Sequence, residues 1–479
     1  MVERMIFSDA VYGIIEVPRT LVKCVVDRAE VQRLRRIKQL GMGHLVYPSH
    51  EGSRFQHSLG AAHLVAKAID NIDSTTRIEV LKRIGEEGKE LEEVLDLIKD
   101  LKPWFQFFML VHDVGHGPLS HNYEDAIYEA HLLWGLEYPA IGEPKKLHEA
   151  VSKAIAIKIL NEKCKDGKSV AEVLCQMAGP SAKDACREDP VKAIWSLVED
   201  MKVWKDPAFE GARAVFSQLS SGEVDVDRGD YLMRDAILAG TRMGLFDYER
   251  LYSLMVLVPW EGSFKLAVID KGVPTIESML LSRFYMYENV YTHKTNLLYT
   301  AIASRLMAKW LIEGKLEKIW EIYDKPELIT FDDLKFYNLL IQEQELEMLK
   351  EVVISRRHDS LRRIEVINAT VNGDIDLFDF SPYEIGEVKE VVKENPSVLV
   401  YGAKVRTVGK EGIPVFLRKK KEVIDVEQAS TIIRNLRSIT HIKLYVASTP
   451  KDGNVANGLA ERLREKLRAL EQVEGSLNN

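Results

Sequence analysis

Residues 104–121, WFQFFMLVHDVGHGPLSH, constrain the chain more than any other stretch. The first eight are almost wholly apolar, so they belong in a core, and Pro103 before them suits the first turn of a helix. Such a helix delivers His112 and Asp113 into the interior. His116 and His121 follow, placing three of the chain's 12 histidines within ten residues. A structural histidine usually occurs singly, as a cap or a satisfied core group. Three imidazoles beside an aspartate would each need a partner if buried. Gly115 and Gly117 are expected to let the backbone bend so that these side chains converge. The pattern points to chemistry rather than packing.

Two distant segments supply matching groups. His57, in RFQHSLG, heads an apolar helix and alone reads as a cap or surface histidine. Asp225, Asp227, Asp230 and Asp235 cluster in GEVDVDRGDYLMRD, and a helix there puts Asp227, Asp230 and Tyr231 on one face. Alone, that cluster reads as a solvated acidic turn. Together these pieces fit the H…HD…D signature of the HD hydrolase superfamily, with His57, His112, Asp113 and Asp227 as ligands of a divalent ion. Two imidazoles and two carboxylates suit Mn, Mg, Fe, Ni or Zn. Leu147-His148-Glu149, at the head of another apolar helix, adds a His/carboxylate pair that can serve as a proton relay.

The rest of the chain predicts a mainly α protein. Residues 28–40, 56–70, 74–99, 104–112 and roughly 275–311 carry helical periodicity, with Ser74-Thr75-Thr76 as the start of the third. Residues 251–270 read as two strands around a Pro259–Gly262 turn. Strand-like segments at 398–408, 413–424 and 441–448 alternate with helices near 427–437 and 453–471. The expected organisation is an all-helical HD-domain core over 1–350 and a smaller α+β region over 351–479 that serves subunit assembly. With 46% hydrophobic and 29% charged residues the composition is globular, and a net charge of -8 argues against a general nucleic-acid or membrane-surface binder. No apolar run approaches the ~18 residues that span a bilayer. The four cysteines are too far apart for a metal clip and read as reduced thiols of a cytoplasmic protein. Arg418-Lys419-Lys420-Lys421 reads as a solvated edge strand.

DRAEVQRLRRIKQLG, SRFQHSLG, HDVGHGPLSH, VDVDRGDYLMRD and NVYTHK occur in the order found in one branch of that superfamily. Over roughly residues 5–300 the chain resembles the HD-domain deoxynucleoside triphosphate triphosphohydrolases, which release a deoxynucleoside and inorganic triphosphate. The resemblance implies His116, His121, His148 and Glu149 as catalytic, with His121 protonating the leaving 5′-oxygen. It implies Arg54, Arg228 and Lys294 as triphosphate contacts, Gln39 and Asp235 as partners of the 3′-hydroxyl, and Leu40 and Tyr291 as the wall that excludes a 2′-hydroxyl. Tyr231 and Arg283 match further pocket positions. Arg228 stands where Lys is frequent, and Glu124 where Asp is usual. Some members are homo-tetramers activated by dGTP or GTP between subunits. Asp27, Gln32, Arg35 and Arg250 match that regulatory site, whereas Met5 replaces an expected Lys. The alternatives are an HD phosphohydrolase of other specificity, a nucleotidase or phosphodiesterase, and a non-catalytic nucleotide sensor.

Overall fold

The computed structural model describes residues 3–477, apart from 83–87, 140–145, 184, 200–206, 261–262, 373–380, 407 and 410–411, and side chains as far as 468. The chain is mainly helical, with a helical core and small sheets. It opens with a hairpin, β1 (Arg4–Asp9) and β2 (Gly13–Pro18), paired from Arg4↔Pro18 to Asp9↔Gly13. Its short strands are half-exposed, so sequence periodicity does not announce them. The periodic stretch 28–40 forms only a short helix, α1 (Ala29–Arg33), and one tighter turn. Arg33 is fully buried there, donating to the carbonyls of Phe331 (2.5 Å), Val114 (2.6 Å) and His116 (2.8 Å).

The central helix, α2 (Arg54–Thr76), starts at Ser53, whose N–H donates to the side chain of Gln56 at 3.0 Å. It runs through Ser74-Thr75-Thr76, the expected start of the next helix, where the Ser74 hydroxyl donates to the Asp70 carbonyl at 3.0 Å, Thr75 to the Ser253 carbonyl, and Thr76 accepts from the Leu257 N–H. After α3 (Gly88–Asp100), the apolar α4 (Lys102–Val111) packs on α2 with Trp104, Phe105, Phe107 and Val111 all but inaccessible. Helix α5 (His121–Trp134) and α6 (Leu147–Asn161) follow. Asp225 then caps α7 (Val226–Leu238) by accepting from the Arg228 N–H at 2.6 Å.

The expected strands 251–270 are β3 (Met255–Trp260) and β4 (Ser263–Ile269); the intended turn falls partly outside the described residues. The helix expected over 275–311 is interrupted. Helix α8 (Val273–Met286) ends in a wide turn, Tyr287–Tyr291, before α9 (Lys294–Ile312) restarts on His293, whose Nδ1 accepts from the Thr295 N–H. That break projects Tyr291 towards α7.

In the last third, β5 (Arg362–Asn372) and β6 (Leu399–Arg406) flank β9 (Ile439–Ser448), and β7 (Pro414–Leu417) and β8 (Glu422–Asp425) extend β3–β4 through a parallel contact, Val268↔Val415. Arg418–Lys421 forms the turn between β7 and β8, not an edge strand, and Arg418 reaches Asp270 at 2.6 Å. One core cluster runs from Ile15 to Ala447, and a second lies between the β5–β9–β6 sheet and the C-terminal helix α10 (Gly453–Leu477). Arg305 of α9 joins them, pairing with Glu129 and donating to the Pro396 carbonyl and, at 3.0 Å, to Tyr383. The cysteines are not free thiols. They form Cys24–Cys164 and Cys175–Cys186, with Cα–Cα separations of 5.1 and 6.0 Å. The first pair is 140 residues apart in the chain, so only the fold brings it within bonding reach. No helix among the described residues is long and apolar enough to cross a membrane.

Candidate metal centre and histidine cluster

The end of α4, the start of α2 and the first turn of α7 meet at one point. His57 Nε2 lies 2.8 Å from Asp227 Oδ1, 3.2 Å from His112 Nε2 and 3.7 Å from Asp113 Oδ2. His112 Nε2 lies 3.6 Å from Asp113 Oδ1 and 3.7 Å from Asp227 Oδ1. His57, His112 and Asp113 thus each bring a donor atom within 4.8 Å of the other two, and Asp227 Oδ1 closes on the two imidazoles from α7.

The imidazoles are fixed from behind. His57 Nδ1 donates to Asp230 Oδ2 at 2.8 Å, and His112 Nδ1 donates to the Met109 carbonyl at 2.8 Å. With Nδ1 so engaged, each ring turns its Nε2 into the site. Two Nε2 atoms 3.2 Å apart repel as lone pairs unless a positive charge, a proton or a cation, lies with them. The pKa of His57 expresses the same field: burial pushes it down, but Asp227 and Asp230 lift it to about 10. Buried carboxylates behind ligating imidazoles are the usual support of a metal site, and this donor set fits a divalent ion.

Asp113 also accepts from Arg54 Nη1 at 2.8 Å. Despite burial, Arg54, His112 and His116 hold its carboxyl well below the usual range. Arg54 Nε donates in turn to Ser120 Oγ at 2.8 Å. Leu119 and Ser120 have φ of 58° and 62°, conformations that L side chains rarely adopt. Asp333, accepting from the Leu119 N–H at 2.7 Å, and Arg54 hold this bend. The two glycines serve this convergence by their lack of a side chain. Gly115 and Gly117 do not take the left-handed conformation; they allow close approach. A Cβ on Gly115 would lie 2.4 Å from the His148 carbonyl oxygen, and one on Gly117 2.4 Å from the Tyr123 ring.

Beside the four donors sits a second cluster. His116 and His148 stack with ring centroids 4.0 Å apart, and His121 meets them edge-on at 4.8 and 5.2 Å. Glu124 binds two of them, accepting from His121 Nδ1 and His148 Nδ1, each at 2.7 Å. It also accepts from the His148 N–H at 2.9 Å. The carboxylate that serves the histidines is therefore Glu124, one turn from His121. Glu149 is exposed, with no contact to them among the described residues. Burial, Arg54 and His148 push the His116 imidazole well down, against Asp113 at 3.3 Å, and so favour its neutral form.

Of the residues expected around a sugar, the structure brings Asp235, Tyr291 and Tyr231 together. Tyr291 donates to Asp235 Oδ2 at 3.0 Å, and His50 Nε2 lies 3.1 Å from Asp235 Oδ1. Gln39 Oε1 is buried without a partner, Leu40 is half-buried nearby in the chain, and the Tyr231 ring stands 6.1 Å from Tyr291 and 6.4 Å from His57. Arg228 bonds Asp225 at 2.9 Å, Arg283 points at Glu223 at 3.4 Å, and Lys294 is exposed at the head of α9. Of the regulatory set, Arg35 Nε donates to Gln32 Oε1 at 2.7 Å and lies over the Phe55 ring, while Asp27 pairs with Lys23. Arg250 is exposed at the start of a separate short helix, with no contact to them among the described residues. His50, Ser120 and Arg33 are not singled out in the sequence, since a lone His, or a Ser or Arg within a longer motif, does not announce its partner.

Comparisons place this architecture. Residues 246–447 match the family model of the HD associated region. The deoxynucleoside triphosphate triphosphohydrolase SAMHD1 homolog of Dictyostelium discoideum is 24% identical over 96% of the chain and 80% of its own length. Human SAMHD1 is 26% identical over 96% of the chain and 69% of its own length. An uncharacterised protein of Methanocaldococcus jannaschii is 28% identical over 66% of the chain, which spans about half (51%) of that relative. A phosphohydrolase structure from Bacteroides thetaiotaomicron shares the fold with a TM-score of 0.61, covering 93% of this chain and 100% of that one at 22% identity. Fold and matched region liken the chain to HD-domain proteins. Within that class the resemblance to the deoxynucleoside triphosphate triphosphohydrolases holds, carried by relatives of that name along nearly the whole chain.

Proposed function

We propose that the chain is a metal-dependent phosphohydrolase that cleaves deoxynucleoside triphosphates to deoxynucleoside and inorganic triphosphate, with His57, His112, Asp113 and Asp227 holding the ion. The observation that carries this reading is the pair of Nε2 atoms 3.2 Å apart, each ring fixed through its Nδ1. When bound, a dication would acidify water, polarise a phosphoryl oxygen and offset phosphate charge. His121 is the proposed proton donor to the leaving 5′-oxygen. Its side chain is 57% exposed, and Glu124 ties up Nδ1, leaving Nε2 for substrate. Neutral His116 orients the phosphate, and His148 shares Glu124 with His121. Arg54, Arg228 and Lys294 supply positive charge along the triphosphate, with arginine suited to bidentate phosphate contacts.

The substrate assignment rests on the resemblance and is supported by Tyr291 meeting Asp235 at 3.0 Å. The resemblance gives Gln39, whose Oε1 is buried without a partner among the described residues, and Asp235 to the 3′-hydroxyl, and gives Leu40 and Tyr291 the exclusion of a 2′-hydroxyl. Incubation with each dNTP and NTP plus Mn or Mg, followed by product identification, tests the reading. Intact triphosphate from dNTPs is the expected product. Orthophosphate or pyrophosphate would point to another specificity, and no turnover with metal bound would point to a sensor. Tyr291→Phe leaves Asp235 short of one donor and should raise KM for dNTPs roughly tenfold, the scale of a hydrogen bond to a charged group. An unchanged KM would remove Tyr291 from the sugar contact. Activation by dGTP or GTP at Asp27, Gln32, Arg35 and Arg250 in a homo-oligomer belongs to the same proposal. Progress curves without a lag, and insensitive to added dGTP or GTP, would count against it.

A further inference from the structure

The hairpin at the start of the chain reaches the metal centre from behind. Asp230, the carboxylate that fixes His57 Nδ1, is wholly inaccessible and receives four contacts from three side chains. Oδ2 faces His57 Nδ1 at 2.8 Å and accepts from Arg234 Nε at 2.9 Å. Oδ1 accepts from Arg234 Nη2 at 2.8 Å and from the Tyr12 hydroxyl at 2.9 Å, 218 residues away in the chain. Arg234 Nη1 donates onward to Asp9 Oδ2 at 2.8 Å. Asp9 has a second task, since its Oδ1 accepts from the N–H groups of Val11 (2.9 Å) and Tyr12 (3.1 Å) and so shapes the turn that presents Tyr12.

We infer that Asp9 and Tyr12, at the tip of the β1–β2 hairpin, are positioning residues of the metal centre that hold Asp230 and, through it, His57. The inference rests on His57 being a metal ligand, as proposed above. A carboxylate can rotate about its last bond, and Asp230 with only Arg234 could turn with that side chain. Tyr12 fixes the second oxygen from another element, and Asp9 anchors the guanidinium from the far side. The packing leaves no slack. A Cβ on Gly60 of α2 would lie 1.8 Å from Asp230 Oδ1, so the carboxylate is pinned between helix and hairpin. A hairpin docked only for stability would not need to complete the hydrogen bonding of this one carboxylate.

The test compares Tyr12→Phe and Asp9→Asn with the full-length wild type, measuring Mn²⁺ affinity by chelator competition alongside thermal unfolding. Outer partners of ligating histidines typically account for about 10–100-fold in metal affinity, so each variant should lose about tenfold or more while still unfolding cooperatively. Tyr248→Phe, whose ring meets Tyr12 edge-on at 5.3 Å outside this chain of hydrogen bonds, should keep wild-type affinity. In an Asp230→Asn background Tyr12→Phe should have no further effect, because the path through Asp230 is already broken. Unchanged Mn²⁺ affinity in both single variants would overturn the inference. So would an equal loss in the Asp230→Asn background. A wild-type protein that binds no Mn²⁺ overturns the metal centre itself, and this inference with it.

Discussion

Asp227→Ala is expected to lower turnover by roughly three orders of magnitude, because a bound dication supplies several kcal/mol of charge stabilisation. The metal content should fall with it. Asp227 Oδ1 is the group nearest His57 Nε2, and losing it takes one of two carboxylates from the donor set. The fold should survive. The side chain is 33% exposed, at the first turn of α7, and fills no core volume. A change of this kind shifts stability by about 0.5–1 kcal/mol. Elemental analysis, product release and thermal unfolding read the three outcomes. A variant that keeps both its metal and its turnover would remove Asp227 from the centre.

Glu124→Gln should cost about 10²–10⁴-fold in turnover, the scale of general acid–base catalysis, with the metal retained. One carboxylate orients both His121 and His148, so one substitution disturbs two rings. The same pair gives a pH signature. Burial opposes both charges, yet Glu124 lifts His148 above its ordinary range, and His148 with His121 holds Glu124 well below its own. The His148 contribution to stability is complete below the unfolded histidine value of about 6.5 and is lost as pH rises through the raised native value. The Glu124 contribution is complete above an unfolded value of about 4.3 and is lost as pH falls through the depressed one. These are two views of one interaction, present when both groups are charged. The stability advantage of the wild type over Glu124→Gln should therefore be widest between about pH 4.3 and 6.5. Urea unfolding across that span measures it, and a difference independent of pH would contradict the pairing.

Much of the site was legible before any fold was known. HDVGHGPLSH declared itself because so many imidazoles in so few residues have no packing rationale, and the spacing of Asp227 and Asp230 placed both on the face that meets His57. Glu124 was visible only as a departure from a pattern. Its service to two histidines depends on α6 arriving beside α5, which no local signal encodes. Glu149, adjacent to His148 in the chain, points elsewhere because neighbours on a helix face different directions.

The apolar run 104–111 determined a buried helix, and that helix determined that His112 and Asp113 lie inside, since hydrophobic burial depends on composition and period alone. The tertiary structure decided what those residues meet. Cys24 and Cys164 bond across 140 residues, the 275–311 helix breaks to aim Tyr291 at Asp235, and Tyr12 reaches Asp230 across 218. Local periodicity reports which face of an element is buried. Which partner buries it is set by packing between elements far apart in the chain, and at this centre the partners decide the chemistry.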